Sequence, residues 1–368
     1  MFAFKKNIFK KFDWILFITV IFLAIFGILM ILSATASYED SRFVKVQTFS
    51  MILGIATMIG LVLLDYKILG KFYIPIYIVS NLLLVTVLIF GVGKEIWGAK
   101  RALQIGSFVF QPAEIAKVGV IISLSKLIEK NKYEINKPSV LLKILLFAAI
   151  PMGLILLQPD LGTTLVFAFF VAVMLFVAGL DLKYYGYVIL VMLICIPILW
   201  TSMEGYQKKR ITDFINQEED TSDANYQAQE AKIAVGSGKV FGRGLFRGVQ
   251  TQYGYIPEKQ TDMIFAVVGE ELGFIGGLTL FILYFIMLYR LIKIARDTED
   301  IFGSLIVTGI TAMFLFHIWE NIGMTIGLMP ITGIALPFMS YGGTFLLVNM
   351  ICIGLSLSVG VHREGLTF

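Results

Sequence analysis

Long apolar runs separated by short polar breaks dominate the chain. They fall near 14–34, 46–64, 72–91, 112–128, 139–157, 161–180, 184–201, 263–289, 302–328 and 340–361. Each approaches the roughly 20 residues that carry an α-helix across a hydrocarbon core. The pattern predicts an all-α polytopic membrane protein of about ten transmembrane helices, a single integral membrane domain over 1–368. The one long polar interval, 202–262, becomes a large extracellular loop between helices 7 and 8. Two places strain the count: the fourth run carries Glu114 and Lys117, and only "QPD" separates the fifth from the sixth. A nine-span arrangement would move the C-terminus across the membrane.

Basic residues arbitrate, because Lys and Arg near short loops are retained on the cytoplasmic side. With an inner N-terminus, inner segments hold sixteen of them, from Lys5 through Lys132 and Arg290 to Arg363, while short outer loops hold Arg42, Lys45, Lys94, Lys100 and Arg101. Ten spans with both ends cytoplasmic follow. The stretch before the first run, "MFAFKKNIFKKFDW", has no small-residue cleavage site and is expected to lead into a retained first helix.

Composition agrees: 58% of the 368 residues are hydrophobic and 15% charged, which excludes an ordinary soluble globule and a disordered chain. The net charge of +4 comes from clusters between apolar runs, so no nucleic-acid partner is expected. Cys195 and Cys352 lie inside apolar runs and imply no disulfide framework.

Charge inside a membrane is costly, so intramembrane ionisable residues point to function. Glu114 and Lys117 stand three apart on one helical face, where they either pair with each other or leave Lys117 to join Lys94, Lys100 and Arg101 in a cationic pocket for a phosphate or diphosphate. Asp160 opens the sixth run, where a carboxylate caps a helix. Thr261 and Asp262 follow Pro257 and also read as a helix start, but Glu270 and Glu271 lie roughly 12–14 Å deeper at about 1.5 Å per residue, beyond any cap. His317 and Glu320 share the ninth run. Polar groups of the fourth, eighth and ninth helices are expected to gather in one outward-facing cluster. Ser340 is placed to cap the tenth helix, with Gly342 and Gly343 allowing close backbone approach. The glycine-rich "AVGSGKVFGRGLFRGVQTQYGY" suits a backbone lying against an anionic or sugar ligand, or else a compact surface loop packed on the bundle.

Four motifs in order, "QPAEIAK", "QPDLGTT", "GSGKVFGRGLFRGVQTQYGYIPEKQTDMIFAVVGEELGFIG" and "NIGMTIGLMPITGIALPFMSYGG", resemble the SEDS proteins of shape, elongation, division and sporulation, most closely the RodA branch. They cover roughly 97–361. The resemblance implies a glycosyltransferase that polymerises lipid II for cell elongation and shape on the outer face of the bacterial cytoplasmic membrane. A class B penicillin-binding protein and other elongation-complex membrane proteins are the implied partners. It places the catalytic residue on Asp262 and substrate-binding roles on Arg101, Gln111, Glu114, Lys117, Asp160, Thr261, Ser340 and Gly342. A divalent cation, Mg or Mn, is implied without a ligand cluster to identify it. The chain departs from the family pattern at Ala102, Ala113, Gln260 and Ala335, and Glu320 stands where an apolar residue is usual.

The expected mechanism has Asp262 take the proton from the acceptor sugar's 4-hydroxyl as that oxygen attacks the donor's anomeric carbon with inversion. An ordinary aspartate, near a pKa of about 3.9, is a weak base, so transfer is late. Lys117 and Arg101 would neutralise the departing diphosphate, with Glu114 holding Lys117. Two rival readings remain: a flippase for a lipid-linked precursor, whose charged residues would lie near the midplane and be accessible from both sides, and a non-catalytic scaffold for a synthase.

Overall fold

The computed structural model describes residues 11–38, 41–93, 101–105, 108–188 and 223–363, with isolated positions 190, 201, 205, 208, 212 and 214. Helices occupy nine of the ten predicted runs: α1 (Trp14–Ala34), α2 (Arg42–Leu63), a short α3 (Lys67–Lys71), α4 (Tyr73–Phe90), α5 (Pro112–Lys130), α6 (Pro138–Leu156), α7 (Leu161–Val177), then α8 (Asp223–Ser237) and α9 (Val249–Gln252) in the large loop, and α10 (Ile264–Arg296), α11 (Ile301–Thr325) and α12 (Gly343–His362). Most of the predicted run 184–201 lies outside the described residues, as do Lys94 and Lys100.

Seven of these helices, α1, α2, α4, α6, α10, α11 and α12, are long and apolar enough to cross a membrane. The protein is a multi-pass membrane protein. Helix α7 is apolar but shorter, and α5 carries Glu114, Lys117, Lys126, Glu129 and Lys130. Proline at the first turn starts α5 and α6, where the missing N–H is no loss. Asp13, Asp160 and Asp300 cap α1, α7 and α11 through amides three residues on.

Burial sorts the helices. The best apolar windows of α11 and α12 are 83% buried, against 17% for α4. Helix α11 packs on α5, α7, α10 and α12, and α12 also packs along α2. Charges that would be costly against lipid therefore fall on α5 and α11, where protein covers them. A hairpin pairs Leu103–Ile105 with Phe108–Phe110 in antiparallel register, Leu103 opposite Phe110, and leads into Gln111, the N-cap of α5. Helix α8 packs on α10 and α11 through Ala231, Ala234, Met263, Ala266 and Met324, which gives the large loop its own small apolar seam with the bundle.

One end of the bundle is laced by ion pairs and hydrogen bonds. Arg290 grips Asp13 with Nη2 at 2.6 Å and Nε at 2.8 Å, Arg363 pairs with Asp297 at 3.1 Å, and Tyr66 donates to Asp300 at 2.9 Å. The functional candidates lie towards the other end of α10 and α11.

Candidate functional site

The turn 257–263 that carries Asp262 is held by its main chain. The amide of Tyr341 donates to the Gln260 carbonyl at 2.8 Å, Ser340 Oγ to the Thr261 carbonyl at 2.6 Å, and Asn321 Nδ2 to the Asp262 carbonyl at 2.8 Å. Three consecutive carbonyls are thus fixed by groups from α11 and the 330–342 segment. Asn321 is fully buried and also donates to Ile334 O at 2.7 Å, so one side chain ties Asp262 to that segment. The residue just outside α10 is Met263, which caps nothing with its side chain, so Asp262 stands one position further out.

The 330–342 segment has no regular structure and gathers most of the remaining candidates. Gly333 has φ +77°, and a Cβ there would lie 3.3 Å from Asp262 Oδ2, so this left-handed glycine lets the backbone approach the carboxylate. Thr332 next to it donates to Glu320 Oε1 at 3.0 Å. Ala335 O accepts from His317 Nδ1 at 3.1 Å. With Nδ1 protonated, His317 Nε2 is an acceptor, and Lys117 Nζ meets it at 2.9 Å while pairing with Glu114 at 2.8 Å. Thr332 and Ile334 also press on Gly162, in the first turn of the helix that Asp160 caps.

Several expectations change. Lys117 is 1% exposed and committed to Glu114 and His317, so it does not present a free ammonium for a diphosphate. Asp160 keeps the capping role expected of it, accepting from Thr163 N at 3.0 Å and Thr163 Oγ1 at 2.9 Å, with Gln111 Nε2 at 3.5 Å. Arg101 is half-buried and donates to Pro159 O at 2.7 Å, beside that cap. Ser340 does not cap the tenth predicted helix: α12 begins at Gly343, and the Ser340 hydroxyl instead accepts from Leu336 N and donates to Thr261 O. Gly342 is the N-cap, its amide donating to Gln47 Oε1 at 3.1 Å, while Gln47 Nε2 donates to Ser340 O at 3.0 Å. Thr261 Oγ1 donates to Glu258 Oε2 at 2.9 Å.

The polar groups also form two clusters rather than one. Glu270 accepts from the Gln250 and Thr251 amides at 2.8 and 2.9 Å and from Thr251 Oγ1 at 2.7 Å, which caps α9 from outside it. Glu271 accepts from Ser33 Oγ at 2.5 Å and Gln252 Nε2 at 3.0 Å. Both glutamates therefore fasten the large loop to the bundle. Their helix is interrupted at Gly273 (φ +65°, ψ −158°), and the glycine-rich loop fills the break. The amides of Arg243 and Gly244 donate to the Glu270 and Glu271 carbonyls, and the amides of Phe274 and Ile275 donate to Lys239 and Val240. A Cβ at Gly238 or Gly242 would overlap the Gly269 or Glu271 carbonyl. Gly238 and Gly242 thus serve close packing within the protein, in keeping with the surface-loop alternative.

Lys259 is the residue of the turn that sequence reading passed over. It is fully buried, donates to Thr251 O at 2.6 Å and Ser37 Oγ at 3.0 Å, and lies 4.7 Å from the Tyr38 ring centroid. Burial pushes its ammonium below the ordinary 10.5, with the Glu271 carboxylate opposing. Asn321 and Gln47 were equally silent, since a single amide in an apolar run carries no motif. Among the described residues no three His, Cys, Asp or Glu side chains stand together to hold a metal ion.

A family model described as "Cell cycle protein", FTSW_RODA_SPOVE, matches residues 13–365. The chain belongs to this family. Similar relatives include a probable peptidoglycan glycosyltransferase FtsW of Trichlorobacter lovleyi, 34% identical over 97% of this chain and 96% of that protein. The peptidoglycan glycosyltransferase MrdB of Escherichia coli K12 is 32% identical over 99% and 98%. Stage V sporulation protein E of Bacillus subtilis is 35% identical over 96% and 98%. Among solved structures, a chain from work on coordination of polymerization and crosslinking by a peptidoglycan synthase complex superposes with a TM-score of 0.82 at 29% identity, covering 96% of this chain and 98% of that one. The rod shape determining protein RodA of Thermus thermophilus gives 0.73 at 30% identity with the same coverage. The FtsW/RodA/SpoVE fold thus spans the whole arrangement described above.

Proposed function

We propose that this chain is a peptidoglycan glycosyltransferase that polymerises lipid II, with Asp262 as its base. The observation that carries the reading is the clamped turn: three successive carbonyls are fixed at 260–262, and the Asp262 carboxylate stands beside the left-handed Gly333. A base held by its own main chain needs little reorganisation when a substrate hydroxyl arrives, and such preorganisation is a large part of catalytic rate. The likeness to proteins named peptidoglycan glycosyltransferases supports the reaction class.

In the proposed reaction Asp262 accepts the proton of the acceptor's 4-hydroxyl while that oxygen forms a bond to the donor's anomeric carbon. The bond from that carbon to the diphosphate oxygen breaks, and the anomeric configuration inverts. Arg101, half-buried beside the α7 cap, is the cation best placed to meet the diphosphate. Lys117 acts through others: it fixes Glu114 and His317, and His317 fixes Ala335 two residues from Gly333. Among the described residues no cluster of three ligating side chains stands here, so a divalent cation would be held by Asp262 as its one carboxylate, as Mg²⁺ commonly is at phosphate substrates. Such an ion would supply charge neutralisation for the leaving group.

The finer reading is a role in rod-shape elongation at the bacterial inner membrane, with both termini cytoplasmic, Asp262 on the outer side, and a class B penicillin-binding protein as partner. The motif wording "NIGMTIGLMPITG" and the likeness to the RodA structure and a synthase-complex chain support it. Transport is the weaker reading, because Glu270 and Glu271, the α10 carboxylates it would draw on, stand beside the break at Gly273 and are occupied in fastening the loop.

The test is polymer formation from lipid II by the purified chain with a class B penicillin-binding partner whose transpeptidase is blocked. Polymer is expected from the parent and none from Asp262→Asn, with thermal stability equal between the two. Parent-rate polymer from a folded Asp262→Asn would remove the base assignment, and no polymer from a folded, partner-bound parent would overturn the activity.

A further inference from the structure

The glycine-rich loop that fills the α10 break turns its apolar side chains outward. Phe241 is 82% exposed and Val240 51%, although their neighbours' backbones are bonded to Phe274 and Ile275. An exposed aromatic ring beside exposed basic side chains suits a water–lipid boundary better than bulk water. Lys239, Arg243 and Arg247 flank the tip and are all exposed, and among the described residues none of them forms an ion pair. The tip also continues the exposed apolar face of α10, Phe274, Ile275, Phe281 and Phe285.

Depth can be read along α10. From Arg290, bound to Asp13 at one interface, to the break at Gly273 is seventeen residues, roughly 25 Å at about 1.5 Å per residue. Hydrocarbon is about 30 Å thick, so the break lies within about 5 Å of the opposite boundary of the apolar layer. A loop bonded there carries its aromatic tip at the level of the lipid glycerol and its cations at the level of the phosphates. Aromatic and basic side chains side by side are the composition favoured at that boundary.

We propose that residues 239–243 form an interfacial anchor, with Val240 and Phe241 inserted in the leaflet and Lys239 and Arg243 binding the phosphates of anionic phospholipids. The occupant is the bulk glycerophospholipid of the membrane, selected by charge. The anchor is independent of the glycosyl-transfer reading. It couples lipid composition to α10, because the same loop closes the gap in that helix next to Glu270 and Glu271.

The test places a bimane label on Phe241→Cys, or Val240→Cys, in the full chain with both native cysteines replaced by alanine, reconstituted into vesicles. Phe285→Cys on the lipid-facing side of α10 and Tyr133→Cys, at a position 98% exposed, are the membrane and water references. Dibromo-phosphatidylcholine is expected to quench the label at 241 to within about twofold of the 285 reference, and dibromo-phosphatidylglycerol at equal mole fraction at least about threefold more strongly, given the attraction of basic side chains to anionic lipid surfaces. Lys239→Gln with Arg243→Gln should abolish the second difference while leaving the first. Quenching at 241 no greater than at 133 overturns insertion, and equal quenching by the two lipids in the parent overturns the selection of anionic lipid.

Discussion

Lys117 shows how a single buried charge is made tolerable. Its ammonium is matched by one carboxylate and one imidazole nitrogen, and both partners are buried with it. Removing one member of such a pair strands the other, at a cost of about 3–5 kcal/mol, whereas removing both costs less. Lys117→Met is therefore expected to lower thermal stability sharply, and Glu114→Gln combined with Lys117→Met to recover part of it; losses that simply add would show that the two do not act as a pair. Lys259 makes a different demand, because its folded form favours loss of the proton. A group with a depressed folded value contributes stability that is fully present above its unfolded 10.5 and is lost as pH falls through the folded value. Stability of the parent should thus rise with pH on the alkaline side relative to Lys259→Met, measured as the difference between the two melting temperatures across that range. A difference independent of pH would mean that Lys259 is held in its charged form. These two lysines were not equally legible. The i, i+3 pairing of Glu114 with Lys117 is a local fact of helix spacing, but the Tyr38 ring and Ser37 hydroxyl around Lys259 come from a segment more than two hundred residues away in the chain.

At the scale of elements, α10 and the loop that completes it are one unit. The helix interrupts its own hydrogen bonding at Gly273, and four amides and carbonyls are satisfied by residues 239–244 instead. Gly238→Ala would drive a methyl into the Gly269 carbonyl, where neither backbone can yield, so it should lower the melting temperature and hasten proteolysis between 223 and 262. Gly60→Ala, in α2 with no atom within 4 Å of the added carbon, should be neutral or stabilise by about 0.5–1 kcal/mol, since alanine loses less entropy than glycine in a helix. Equal effects from the two would show that the loop is not wedged. Periodicity predicted where α10 runs and its two glutamates raised the right question, yet the answer was not in the run itself. A broken helix reads as a continuous apolar stretch when another segment supplies its missing partners. The start of α12 escaped for a related reason: a serine ahead of an apolar run reads as its cap, while the polar atoms of 340–342 are spent on Gln47, Thr261 and Leu336.

At the scale of the whole molecule, the disposition of the large loop follows from how many helices separate it from the rest. Helices α6 and α7 lie between Tyr133 and Tyr253, and the run 184–201 is the third expected crossing. Three crossings put the two tyrosines on opposite sides of the membrane, and two put them on the same side. Both positions are accessible, at 98% and 75% exposure, so cysteines there report the side without disturbing the fold. Basic residues argue for three: Lys130, Lys132, Lys137 and Lys183 surround the Tyr133 side, and only a third crossing leaves the sixty-residue loop, with Asp262 at its end, on the face opposite to them. A membrane-impermeant maleimide applied to intact cells should therefore label Tyr253→Cys and not Tyr133→Cys, and lysed membranes should label both. If both or neither react from outside, the run 184–201 does not cross, and the Asp262 turn shares a compartment with the basic loops. An outward Asp262 would meet a lipid-linked substrate on the side where glycan strands are needed, which is the arrangement that the glycosyl-transfer reading requires.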